Sequence, residues 1–110
     1  MEAKLITLIT DFGHKDPFVG IMKGVIFGIN PSATIIDLSH GISPQDVLAG
    51  ALVLRYAVPF FPGGTIHVAV VDPGVGSSRR PLLIESEGSF FVGPDNGILS
   101  LALEGKRSAE

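Results

Sequence analysis

The chain of 110 residues has no cysteine, which excludes disulfides, zinc–thiolate centres and thiol catalysis together and suits a reducing cytoplasm. It has few charges: 17% of residues are charged, the formal balance is −3, and no basic run is long enough to follow a nucleic-acid backbone. Nucleic acid is therefore not an expected partner. No apolar run reaches membrane-spanning length, and Met1-Glu2-Ala3-Lys4-Leu5-Ile6-Thr7 lacks the basic region and apolar stretch of a targeting signal. A soluble, cytoplasmic protein that does not engage the membrane is expected. Glycine-rich phosphate cradles of Rossmann or P-loop spacing are missing. So are internal repeats and low-complexity segments.

What is present is a core. Hydrophobic residues make up 45% of the chain, enough for residues 1–110 to form one domain. Leu5 to Thr10 reads as a first strand, and Asp16-Pro17 as an N-cap with proline in the first turn of a helix reaching Ile29, ended by Asn30-Pro31. Thr34 to Leu38 reads as a second strand, and Ser43-Pro44-Gln45-Asp46 as a capping box opening a helix to about Ala57. Thr65 to Val71 follows as a third strand, then Leu82 to Glu85 and Ser89 to Val92 as a hairpin around Glu87-Gly88. A short helix is expected after Pro94-Asp95-Asn96-Gly97.

Strands apolar throughout, separated by helices, predict an α/β fold with a mostly parallel sheet in a three-layer α/β/α arrangement. In such folds ligands bind outside the carboxyl ends of the strands. At those ends stand Asp11, Asp37 with His40, Asp72, and Asp95 with Asn96. Asp72 is followed closely by Arg79, and an acid at the end of a buried strand is costly unless something pairs with it or uses it. Asp11 and Asp72 sit at no evident cap, so a ligand role leads for both; Arg79 gains its role from Asp72. Asp16 and Asp46 read first as helix caps. Asp37 and His40 read slightly better as a turn pair, and His67 as a core histidine. Asp95-Asn96 divides evenly between an Asx-type turn and binding. Carboxylates so placed suit ribose hydroxyls, a cation or a metal. A metal-dependent phosphohydrolase is the weaker reading, because close paired carboxylates and a second histidine–acid cluster are missing.

Several motifs in order resemble one family: Thr10-Asp11-Phe12-Gly13, Asp16-Pro17-Phe18-Val19-Gly20 with Met22-Lys23-Gly24, Ser39-His40-Gly41, Phe61-Pro62, Val71-Asp72-Pro73-Gly74 with Arg79-Arg80, and Pro94-Asp95-Asn96-Gly97. Together they are similar to the S-adenosyl-L-methionine (SAM) hydroxide adenosyltransferases, adenosine-forming SAM hydrolases related to the fluorinating and chlorinating SAM enzymes. The resemblance implies an N-terminal α/β/α domain followed by a C-terminal β-barrel, assembly as a trimer, and attack of water on the ribose C5′ of SAM, a substrate that needs no cofactor and no metal. It implies Asp72 and Arg79 as the catalytic pair, Asp11 on the ribose hydroxyls, Asp16 near the methionine end, and Asp95 and Asn96 shaping the pocket.

The chain also departs from that pattern. Family members are well over twice as long, and their water-orienting group includes a downstream histidine, whereas no histidine follows His67. Residues 1–110 are thus expected to form a partial N-terminal domain without the barrel, exposing a sheet edge and an apolar face. Either a SAM hydrolase, alone or completed by another copy or a complementing chain, or a non-catalytic half-site that binds nucleoside or a partner is expected, with mixed oligomers rather than a clean trimer.

Overall fold

The computed structural model describes residues 4–72 and 80–104. Five strands, β1 (Leu5–Thr10), β2 (Thr34–Ser39), β3 (Ile66–Val70), β4 (Pro81–Ser86) and β5 (Ser89–Pro94), form one sheet in the order β2-β1-β3-β5-β4. β1 pairs in parallel with β2 and β3, and β3 with β5; only β4 runs antiparallel, against β5. The expected mostly parallel α/β sheet is therefore what the chain forms.

Burial explains why the strands could be read as apolar runs. β1 lies between two parallel neighbours, and Ile6 to Thr10 are all buried, as a strand covered on both faces must be. On one face, Ile6, Leu8, Ile66 and Val68 pack with Met22 and Ile26 of α1 (Phe18–Ile29). On the other, Ile9, Ala69, Val71 and Phe91 pack with Ala51 and Leu54 of α2 (Val47–Ala57) and with Ala102 of α3 (Ser100–Leu103). Alternate residues of one strand thus feed opposite cores, and the three layers follow. Leu54 is fully buried, so truncating it to alanine is expected to cost about 2–5 kcal/mol.

Both helix starts differ in detail from expectation. α1 begins at Phe18 with Pro17 at the cap position; Asp16 lies one residue further out, and its Oδ1 accepts from the Phe18 amide at 3.3 Å. α2 begins three residues later than a cap at Ser43 suggests. Its cap is Asp46, whose Oδ1 accepts from the Ala49 amide at 3.0 Å. Gln45, at φ 65°, lies in the left-handed region and so cannot continue a helix from Ser43. The Glu87-Gly88 turn has positive φ at both residues, 52° and 84°, the twist that a two-residue hairpin requires.

Not every apolar side chain is covered. Phe18, Ile21, Val25 and Ile29 of α1 are more than half exposed, beside Gly20, Gly24 and Gly28 at four-residue spacing. Among the described residues, no helix is long and apolar enough to cross a membrane.

Candidate active site

The connections set the place of the site. β1 leads through α1 to β2 on one side, whereas β2 leads through α2 across the opposite face to β3 on the other side of β1. The carboxyl ends of β1 and β3 therefore bound the topological switch point, where crossovers on opposite faces leave a crevice. Thr10 and Val70 are register partners. Asp11 leaves β1 one residue beyond that pair, and Asp72 leaves β3 two residues beyond it, so the two acids flank the crevice. Along the same edge the sheet order puts Asp37 on β2 to one side and Asp95 after β5 to the other.

Asp11 is half-buried and held. Its Oδ2 accepts from the Gln45 amide at 2.7 Å, and Gln45 itself stands in the left-handed region. This bond fixes the orientation of the carboxylate at the strand end. Asp72 is also half-buried and follows the fully buried Val71. Arg79 lies outside the described residues. Asp16 is exposed in the loop between β1 and α1, at the same end of the sheet.

Asp95 and Asn96 occupy the turn after β5. Asp95 Oδ2 pairs with Arg80 Nη2 at 3.1 Å in an exposed ion pair. Asn96 uses both ends of its amide on the backbone: Nδ2 donates to the Val71 carbonyl at 2.8 Å, and Oδ1 accepts from the Ile98 amide at 3.0 Å. Its contribution to this edge is through the main chain next to Asp72. Val70, Val92, Gly93 and Pro94 line an apolar hollow of about 250 Å³ with Arg80 and Pro81 beside this turn. A smaller cavity, about 190 Å³, lies at the opposite end of the sheet among Val58, Phe61, Ser89 and Phe91, away from the acids.

Asp37 and His40 have the structural role expected, in a wider network than a turn pair. His40 is buried, its Nε2 lies 2.7 Å from Asp37 Oδ1 and its Nδ1 lies 2.7 Å from Thr10 Oγ1. Asp37 Oδ2 takes Lys23 Nζ of α1 at 2.6 Å. Burial pushes the Asp37 carboxyl up, but the Lys23 and His40 hydrogen bonds outweigh it and hold the group below the usual carboxylate value. His14 sets its ring edge against His40, with centroids 5.4 Å apart.

His67 is the core histidine expected. It stacks on Phe91 at 5.2 Å, meets Phe61 edge-on, and bonds Thr7 Oγ1 through Nδ1 at 2.9 Å. Its Nε2 is buried with no hydrogen-bond partner among the described residues. Burial lowers its pKa to about 4, so the ring is neutral near pH 7. Among the described residues, no group of three His, Cys, Asp or Glu side chains converges as metal ligands would.

Comparison with known proteins agrees with this fold. The (R)-S-adenosyl-L-methionine hydrolase of Methanocaldococcus jannaschii is 49% identical over 105 residues, covering 91% of this chain and 40% of the relative. The fluorinase of Actinoplanes sp. is 28% identical, covering 91% of this chain and 41% of its own length. A crystal structure of an uncharacterized conserved protein from Thermotoga maritima superposes with a TM-score of 0.91 at 42% identity, covering 96% of this chain and 41% of that one. The chain thus spans about 40% of the length of the curated relatives it matches. A family model described as SAM hydroxide adenosyltransferase N-terminal domain matches residues 6–110, and with the same α/β sheet beneath it, the chain belongs to that family.

Proposed function

We propose that this chain carries the N-terminal part of an adenosine-forming SAM hydrolase site, in which water attacks the ribose C5′ of SAM. The observation that carries the reading is the pair Asp11 and Asp72 on neighbouring strands at the switch point. Relatives at 40–49% identity bearing the name (R)-S-adenosyl-L-methionine hydrolase support it.

The chemistry asks little of the leaving group. As the oxygen–C5′ bond forms, the C5′–sulfur bond breaks, methionine departs as a neutral thioether, and the positive charge of the sulfonium is discharged as a proton from water. No acid is needed for the departure. The difficult requirement is an aligned, activated water. In this reading Asp72 orients the water and accepts its proton, and Arg79 holds the carboxylate in place. Asp11, already fixed by Gln45, receives the ribose hydroxyls; Asp16 attracts the methionine ammonium end; the turn of Asp95 and Asn96 shapes the wall beside Val71. Acids around a sulfonium also stabilise the ground state, so acceleration has to come from water placement rather than from charge alone.

The test is incubation of the purified chain with each sulfonium epimer of SAM, with adenosine followed by chromatography and Asp72→Ala run in parallel. Adenosine that disappears in Asp72→Ala supports the reading; adenosine formed equally by the variant overturns the role of Asp72. The Asp11 carboxylate held by the Gln45 amide also fits a second reading, a nucleoside half-site. Adenosine binding by calorimetry without turnover, abolished in Asp11→Ala, would select it.

A further inference from the structure

For a neutral His40 the hydrogen bonds around its ring run in one direction. Asp37 as a carboxylate can only accept, so His40 Nε2 is the donor of their 2.7 Å bond. In the neutral ring Nδ1 is then an acceptor, and the Thr10 hydroxyl donates to it at 2.7 Å. The Thr10 oxygen in turn accepts from the Phe12 amide at 3.2 Å. At the same time the His40 carbonyl accepts from the Gly13 amide at 2.9 Å, and Gly13 stands at φ 72°, a conformation glycine reaches without strain. His40 therefore grips the turn of Thr10 to Gly13 twice, by its side chain through Thr10 and by its own carbonyl at Gly13. Asp11 is enclosed between those two holds. Lys23 of α1 anchors the far end of the chain on Asp37.

We propose that His40 is a positioning residue for Asp11: the relay from Lys23 through Asp37, His40 and Thr10 fixes the β1 turn so that the Asp11 carboxylate meets the Gln45 amide and faces the crevice. His40 touches no reacting atom in this scheme. Nothing in it requires a proton to move. The proposal rests on the reading of Asp11 as the ribose-binding acid, but its geometry is tested without substrate.

The experiment uses the full chain labelled with ¹⁵N. Exchange of the Phe12, Gly13 and Gln45 amides with solvent is measured in the unmodified protein and in His40→Ala, Thr10→Val and Thr10→Ser, together with the imidazole ¹⁵N shifts of His40. Thr10→Val keeps the shape of the side chain, so it serves where His40→Ala does not fold. The expected result is a His40 ring protonated on Nε2, and exchange at Phe12 and Gln45 faster by about tenfold in Thr10→Val, with protection restored in Thr10→Ser. An unchanged Gln45 amide in Thr10→Val and His40→Ala overturns the proposal, because Asp11 then keeps its place without the relay. In the adenosine-forming assay, a KM for SAM raised about tenfold with kcat little changed supports it, and an unchanged KM beside altered amides overturns it. If the unmodified chain makes no adenosine, the hydrolase reading fails and the Gln45 amide alone decides the positioning role.

Discussion

Asn96 donates from Nδ2 to the carbonyl of Val71 at 2.8 Å, so the turn after β5 holds the residue immediately before Asp72. The bond joins the outer part of the acid row to its centre. Asn96→Asp keeps the shape but sets a carboxylate oxygen against the Val71 carbonyl. It is expected to destabilise the fold by about 1–3 kcal/mol, read by urea unfolding. It should cost at least as much as Asn96→Ala, which leaves the Val71 carbonyl and the Ile98 amide unpaired but repels neither. A smaller loss in Asn96→Asp than in Asn96→Ala would contradict this account.

Stability should fall on acidification through the range set by His67. Its pKa in the fold is lowered to about 4 from 6.5 by burial. The unfolded chain therefore takes up a proton as pH drops below about 6.5, while the folded chain resists until about 4. The stabilising difference is complete above pH 6.5, shrinks by up to about 3 kcal/mol on descent to pH 4, and is constant below that. Urea midpoints measured at intervals from pH 7.5 to 4 should show this slope, and His67→Gln should remove it.

Two buried glycines should respond differently to a methyl group. A Cβ at Gly93 would lie 2.7 Å from the Ala69 backbone oxygen, which the sheet cannot easily move, whereas one at Gly50 would meet Ile98 Cδ1 at 3.0 Å and Val71 Cγ2 at 3.1 Å, both side-chain atoms. Gly93→Ala is expected to cost at least about 2 kcal/mol and Gly50→Ala less, by thermal or urea unfolding.

Gln45 carries left-handed backbone strain at φ 65° and donates its amide to Asp11. Gln45→Gly keeps the amide and removes the strain, so a gain in stability of up to about 1 kcal/mol is expected. Gln45→Pro removes the donor and cannot adopt the angle. On the proposed reading of Asp11, its signature should be a weakened hold on adenosine in a binding titration.

Which parts of this were readable from sequence follows from the range of the interactions. Leu5 to Thr10 and Thr65 to Val71 announce themselves because parallel strands buried on both faces are predominantly apolar, their few polar side chains being hydrogen-bonded. Glu87-Gly88 is legible because a hairpin turn makes a local demand on φ. Ser43-Pro44 misleads for the same local reason: it has the residues of a capping box, but Gln45 is diverted to serve Asp11 from 34 positions away. The Thr10–His40 contact spans 30 positions and needs the adjacency of β1 and β2, which no local pattern states. Likewise, carboxylates at strand ends can be found one by one. That Asp11 and Asp72 are neighbours while Asp37 and Asp95 are outliers depends on the order in which the strands assemble.

β1 lies inside the sheet, fully covered, whereas β4 lies at a margin and is joined to the rest only through β5. A fluctuation that peels away the β4–β5 hairpin would strand Asp95 and Asn96 before it disturbed the root of Asp11. The acid row thus has a durable half and a labile half, and thermal wear would erode the wall of the crevice while its floor still stood.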